Sequence, residues 1–334
     1  MDSKNIQHLS FNRYFRRFGA EIEINSMDGR NKPSHDGELP NGSQYIGNVI
    51  ASLVPAVTSN AEFMPKGQVE LSKWGHTHHN NIWVVKPDSS CGMEVCSPVL
   101  KGTHGINEIC TVVDGFAMDS YISADERCSL HLHIEVADLT TEQLAAVLAW
   151  WIKCEWVFYH SVPQQRKRNR YCQFIGLTDM FQHNSNCTAS QLISKLSNYK
   201  YLSINTYHYA KGKRHTIEFR VAENLACMDS TFVRNWIMLL VHFVETAKDK
   251  DMPGPYEKDN PWSSWLWLDS IDVFKFLGFY PGEQYLSVEM EVVRNWFLSR
   301  LLENINSTLP GIWAECIVEK SRNEAIELSQ KLWS

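Results

Sequence analysis

Several things are missing from this 334-residue chain. No apolar run reaches the roughly 18 residues a membrane span needs. The opening MDSKNIQHLS is polar where a secretory leader would carry an apolar core. The expected location is the cytoplasm, in keeping with cysteines that read as reduced. There is no C-x-x-C pair, no zinc-ribbon spacing, no P-loop and no internal repeat. The nine cysteines, an odd number without paired spacing, read as reduced and mostly buried thiols. An excess of positive charge is missing too. With 32 Lys and Arg against 38 Asp and Glu the net charge is -6, which argues against general affinity for nucleic acid or an anionic membrane. What is present is a packed globular composition, 44% hydrophobic and 12% aromatic, in a chain long enough for one large domain or two ordinary ones.

The chain is organised around Phe18-Gly19-Ala20-Glu21-Ile22-Glu23-Ile24. With a period of two, Ala20, Ile22 and Ile24 share one strand face and Glu21 and Glu23 the other. Two carboxylates so placed stand only about 6–7 Å apart and repel. A solvated face is the ordinary explanation of a lone E-x-E; a bound cation is the alternative. Three further strands repeat the design. Met93-Glu94-Val95 sets a carboxylate between apolar neighbours, Leu130-His131-Leu132-His133-Ile134-Glu135 alternates leucine with histidine, and Thr216-Ile217-Glu218-Phe219-Arg220 places Glu218 and Arg220 together. Sharing one sheet, these strands would pool Glu21, Glu23, Glu94, His131, His133, Glu218 and Arg220. Such a face needs a divalent metal and an anionic ligand to balance it.

Taken in order, the polar, Gly- and Pro-rich segment after Ile24 is expected to be a long loop or lid over the site. A short helix from Ser43 to about Pro55 follows, then strand-like pieces and a loop holding His76, His78 and His79, which is read as contacting ligand or merely exposed. Residues 82–96 form a hairpin turning at Pro87–Gly92. A helix spans about 105–119, and Thr140-Thr141-Glu142-Gln143 is a capping box for a strongly apolar helix. The run Arg166-Lys167-Arg168-Asn169-Arg170 is too short and isolated for a nucleic-acid patch, whereas guanidinium forks suit phosphate oxygens. SQLISKLSN is a short helix, residues 201–207 and 215–221 pair as strands, and Asp229 caps the next helix. Helices near 269–278, 283–305 and 313–332 complete the chain. Chemistry-bearing patterns end at Arg220, so the expected division is a catalytic domain over 1–248 and a helical C-terminal extension over 249–334.

With these residues laid out, the chain resembles the amidoligase family, carboxylate–amine ligases of the glutamine synthetase and glutamate–cysteine ligase superfamily. The matching pieces are FGAEIEI, W-x-V-x-x-D-S followed by GMEVCSP, the H-L-H strand, RKRNRYC, Asn205 and TIEFR, in family order over roughly residues 18–245. The resemblance implies an α+β fold, a curved antiparallel sheet flanked by helices as in glutamine synthetase. ATP and Mg²⁺ (or Mn²⁺) would lie on its open face. It implies joining a small-molecule or peptide carboxylate to an amine through an acyl phosphate, with release of ADP and phosphate. On that reading Glu21, Glu23, Glu94 and Glu218 are metal ligands, and His131 or His133 joins them or contacts phosphate. Arg220 steadies transition-state charge, Arg166 and Arg168 hold nucleotide phosphates, and Asp88, Ser89 and Asn205 contact nucleotide or substrate. The residues supply chemistry of that kind, since hard oxygen ligands suit Mg²⁺ and Arg suits a transferring phosphoryl group. Two other readings stand beside it. One is a metal-dependent hydrolase built on His131, His133 and the carboxylates. The other is a relative that binds nucleotide without turnover.

Overall fold

The computed structural model describes residues 16–26, 42–57, 69–74, 81–167, 169–175, 187–252, 268–281, 286–304 and 313–333. The chain divides into two compact units. One comprises Phe15–Ile134 and Ala222–Ile237, and the other Glu135–Val221 and Met238–Ser334. Among the described residues no helix is long and apolar enough to cross a membrane.

The first unit is built around β1 (Arg17–Ser26), whose Phe18, Ala20, Ile22 and Ile24 are buried as their alternation predicts. Its polar face is buried as well, because Glu21, Glu23 and Asn25 lie out of solvent. β1 pairs antiparallel with β4 (Gly92–Cys96) on one side and β7 (Leu130–Glu135) on the other. β2 (Val69–Leu71) and β3 (Trp83–Asp88) continue the sheet in the order β2-β3-β4-β1-β7. The sheet is mixed, since β2 runs parallel to β3. The short β5 (Leu100–Lys101) and β6 (Ile122–Ser123) pair with β1 near its two ends.

Helices α1 (Ser43–Val57) and α2 (Gly102–Met118) pack with this sheet. Ile46, Ile50 and Val54 of α1 and Ile106, Ile109, Val113 and Phe116 of α2 are buried, at the spacing of three and four that a core-facing helix needs. The two helices meet at Gly115, where a Cβ would overlap Leu53. Buried Glu108 of α2 accepts a hydrogen bond from Trp83 Nε1 of β3 at 2.9 Å, which fixes helix to sheet.

In the second unit α3 (Thr141–His160) starts at the expected capping box. Thr140 Oγ1 accepts from the Gln143 N–H and Gln143 Oε1 from the Thr140 N–H, at 3.2 and 3.1 Å. From Leu144 onward every residue of α3 is buried, so this helix lies inside its unit rather than on its surface. Then come α4 (Gln164–Lys167), α5 (Ala189–Leu196), β8 (Ile204–Asn205), α6 (Tyr207–Ala210) and β9 (Thr216–Phe219).

The strands expected over 201–207 and 215–221 are shorter than their pattern. Asn205 Oδ1 accepts the Tyr207 N–H at 2.9 Å, and this Asx turn sends the chain into α6 instead of prolonging β8. Asp229 caps α7 (Ser230–Ala247), accepting from the N–H groups of Thr231 and Phe232. The expected C-terminal helices are present as α8 (Ser270–Phe276), α9 (Val288–Asn304) and α10 (Trp313–Trp333). α8 and α9 share a core with α3: Trp150 stacks on Phe276, Phe158 packs on Phe297, and the Leu268 N–H bonds the Lys153 carbonyl at 2.8 Å. The expected lid after Ile24 falls mostly on residues 27–41, and with His76, His78, His79 and Arg168 it lies outside the described residues.

Candidate active site

Strand register assembles a polar row across the first unit. Glu23 of β1 stands opposite Glu94 of β4, Glu94 opposite Lys86 of β3, and Glu21 opposite His131 of β7. All five side chains are buried, and His133, two residues along β7, extends the row. Lys86 Nζ lies 2.7 Å from Glu94. Burial opposes charge on Lys86, but the Glu94 carboxylate overcomes it and holds the ammonium protonated. Burial and the Glu21 charge outweigh Lys86 at Glu94, whose carboxyl is pushed up to about 7. Glu21 moves the other way. Burial would raise it, yet His133, with Nε2 3.1 Å away, and His131 hold it well below the usual carboxylate range.

Ser129, just before β7, fixes the orientation of His131. Its Oγ donates to Glu23 at 2.8 Å and lies 2.8 Å from His131 Nε2. A hydroxyl has one proton to give, so the ring donates through Nε2 to Ser129 and turns its Nδ1 toward Glu21, 3.6 Å away. Two cysteines border the row. Glu21, Glu94 and Cys96 could each place one ligand atom within 4.8 Å of the others, as could Glu23, Asp88 and Cys91. Burial pushes both thiols well up, and Cys96 Sγ donates to Glu94 at 3.1 Å. Carboxylate oxygen and imidazole nitrogen thus make up most of the ligand chemistry on offer, with Cys96 and Cys91 at its border. Three buried carboxylates on two adjacent strands, one of them raised to about 7, fit a hard divalent cation such as Mg²⁺ or Mn²⁺.

Asp88 and Ser89 occupy the tip of the β3–β4 hairpin. Asp88 Oδ1 accepts from the Ser90 and Cys91 N–H groups at 2.7 and 3.1 Å and from the Ser90 hydroxyl, so it shapes the turn. Gly92 closes that turn at φ 124°, a conformation side chains resist. Ser89 is exposed.

The second unit gathers the remaining residues around β9. Glu218 stands opposite Asn205 of β8 and accepts from its Nδ2 at 2.7 Å. Arg220 forms a close ion pair with Glu218 through Nη1 and donates from Nε to the Tyr171 carbonyl at 2.9 Å. Arg166 is buried and donates to the carbonyls of Arg220 and Val221. Glu155 of α3, wholly buried, accepts from the Ile175 N–H at 3.0 Å and from the Ser203 hydroxyl, while the Ser203 carbonyl accepts the Arg220 N–H at 2.9 Å. Arg220 is thus fixed by neighbours on three segments.

The structure therefore brings Glu21, Glu23, Glu94, His131 and His133 together in one unit, and Arg166, Asn205, Glu218 and Arg220 together in the other. Lys86, Ser129, Cys96 and Glu155 escaped the sequence reading. Lys86 had a signal, a lone cation between Val85 and Pro87 in an apolar strand; Ser129 and Glu155 had none, because their partners are distant in sequence.

A family model described as "Putative amidoligase enzyme" matches residues 16–244. This chain belongs to that amidoligase family. A search of curated proteins finds no match. Among solved structures, the chain is similar to a glutamine synthase homolog, at 12% identity and TM-score 0.44, covering 96% of this chain and 67% of that one. It is also similar to a bifunctional glutathione synthetase from Pasteurella multocida, at 10% identity and TM-score 0.34, covering 98% of this chain and 50% of that one.

Proposed function

We propose that this amidoligase-family chain joins a carboxylate to an amine at the expense of ATP. The observation that carries the reading is the buried row of Glu21, Glu23, Glu94 and His131 on adjacent strands, a donor set suited to the cation that accompanies a nucleotide triphosphate. A carboxylate oxygen of the acid takes the γ-phosphoryl group of ATP and ADP leaves. The amine nitrogen then adds to the activated acyl carbon, the C–O bond to phosphate breaks, and an amide remains once the nitrogen has given up a proton, which leaves with the phosphate. Bound Mg²⁺ or Mn²⁺ would neutralise phosphate charge during the first transfer. Glu21, Glu23 and Glu94 of the first unit would hold the ion, with His131 beside them and His133 either joining them or meeting phosphate; in the second unit Glu218 is the carboxylate proposed as a metal ligand.

Arg220 has the planar donors that a transferring phosphoryl group requires, and Glu218 and the Tyr171 carbonyl fix the plane of its guanidinium. Arg166 supports Arg220 through its carbonyl. Arg168, Asp88, Ser89 and Asn205 are the remaining candidates for nucleotide or substrate contact. The reaction needs no protein nucleophile, and the buried protonated thiols are poor ones. The test is a pairwise screen of acids and amines that reads ADP release and identifies products by mass spectrometry. Amide formed in step with ADP, and only when both partners are present, is the expected result. Hydrolysis of amides without ATP would replace this reading with the hydrolase.

A further inference from the structure

The charge of the chain is unevenly spread. Residues 180–217 contain five Lys or Arg, four Tyr and no Asp or Glu, in a protein whose net charge is -6. In the second unit, described residues of this stretch and the neighbouring Arg170 and Tyr171 present cations that sit over tyrosine rings. The Arg170 guanidinium lies 4.7 Å from the Tyr171 ring centre, Lys200 Nζ 5.8 Å from that of Tyr201, and Lys211 Nζ 5.7 Å from that of Tyr207. Arg170, Lys200 and Lys211 are exposed, as is Tyr201, and none of the three cations has a carboxylate partner among the described residues. Tyr171 and Tyr201 meet edge to face at 5.2 Å.

Backbone bonds join this surface to the arginine cluster. The Gln173 N–H bonds the Tyr201 carbonyl at 2.7 Å, the Ser203 N–H bonds the Gln173 carbonyl at 2.9 Å, and the Arg220 N–H bonds the Ser203 carbonyl at 2.9 Å. Tyr171 itself supplies the carbonyl that Arg220 Nε grips. Ser197 and Thr206 hydroxyls, 3.1 Å apart, tie the end of α5 to the start of α6, which carries Tyr207 toward Lys211.

We infer that this surface docks an acidic peptide, a chain with several carboxylates, and so sets the substrate class of the ligase; the inference rests on the ligase reading for its place in the reaction, but not for binding. Cations on three separate segments fit a ligand with repeated negative charge better than a single small anion. Tyrosine pins their stems, which lowers the conformational cost of pairing each with a carboxylate. A carboxylate-rich peptide also supplies the functional group the reaction consumes. A long nucleic acid needs an extended positive surface, and the net charge of the chain is -6.

The test is fluorescence anisotropy of a labelled oligoglutamate peptide against the whole protein without ATP, in low and high salt. The variant carries Lys200→Glu and Lys211→Glu together, exposed changes whose folding is checked by melting temperature. Expected is peptide binding that weakens in high salt and falls at least ~10-fold in the charge-reversed protein. Binding within two-fold of the parent, in a protein that melts with it, overturns the docking surface. Tighter binding of an oligodeoxythymidine of equal charge overturns the peptide assignment. ADP release from single acids and amines is measured separately on the parent. Its failure beside intact peptide binding would remove the ligase reading and leave the docking surface standing.

Discussion

The two clusters are built by different means. In the first unit, β1 carries ten residues and pairs along both edges, so register alone sets Lys86, Glu94, Glu23, Glu21 and His131 side by side. In the second, β9 has four residues, and Arg220 owes its pose to the Glu218 carboxylate and to carbonyls from the segments around Tyr171 and Ser203. A row of like charges needs a rigid frame, because each carboxylate would otherwise swing into water. A guanidinium needs only two or three fixed acceptors, which loops provide as well as strands.

Breaking the strand-built row should have the largest effect on folding. Lys86→Met leaves Glu94 buried beside Glu21 without its cation, and losing one partner of a buried pair costs about 3–5 kcal/mol. Urea unfolding measures this; an unchanged midpoint would mean that Glu94 is neutral in the native protein. The loop-built cluster should answer in rate rather than in stability. Arg220→Lys keeps the charge but loses the planar fork, so ligation should fall ~100-fold. The lost bond to Tyr171 should cost only about 1 kcal/mol. Ligation within a few-fold of the parent would take Arg220 out of the mechanism.

Ser129→Ala sharpens the contrast within the row, since it frees His131 to rotate while leaving every charge in place. Divalent-ion affinity should drop ~10-fold, as for other groups that orient a ligand. Calorimetric titration with Mn²⁺ decides it, and unchanged affinity would show that His131 needs no such orientation.

The last effect is confined to acid pH. His160, buried at the end of α3, is pushed down to about 3 by burial and by nearby Lys167. It stays neutral in the fold while the unfolded chain takes up a proton below about pH 6.5. Its contribution is therefore whole above that pH and lost as pH falls toward 3, by up to about 1.4 kcal/mol per unit. His160→Phe should flatten that slope relative to the parent in a series of unfolding curves; parallel slopes would refute it.

The strand-built half was the more legible in the sequence. Alternation in FGAEIEI and LHLHIE set the buried and polar faces of β1 and β7, and the hairpin around Gly92 followed from its turn residues. Periodicity says which way a side chain points but not whether that side is covered, so the burial of Glu21 and Glu23 appeared only in three dimensions. The loop-built half resisted for the opposite reason. Arg166 stood out by composition, yet its donors meet backbone carbonyls some fifty positions away, and carbonyls leave no trace in a sequence. Glu155 lay hidden in a helix whose buried faces extend all the way round.

Cation-dependent nucleotide binding is the claim on which both halves depend. Calorimetric titration of ATP into the parent protein, in Mg²⁺, in Zn²⁺ and in EDTA, tests it most directly. The account predicts strong binding in Mg²⁺ or Mn²⁺, weaker binding in Zn²⁺ because oxygen ligands outnumber imidazoles, and none measurable in EDTA. Equal affinity for ATP in EDTA and in Mg²⁺ would contradict it.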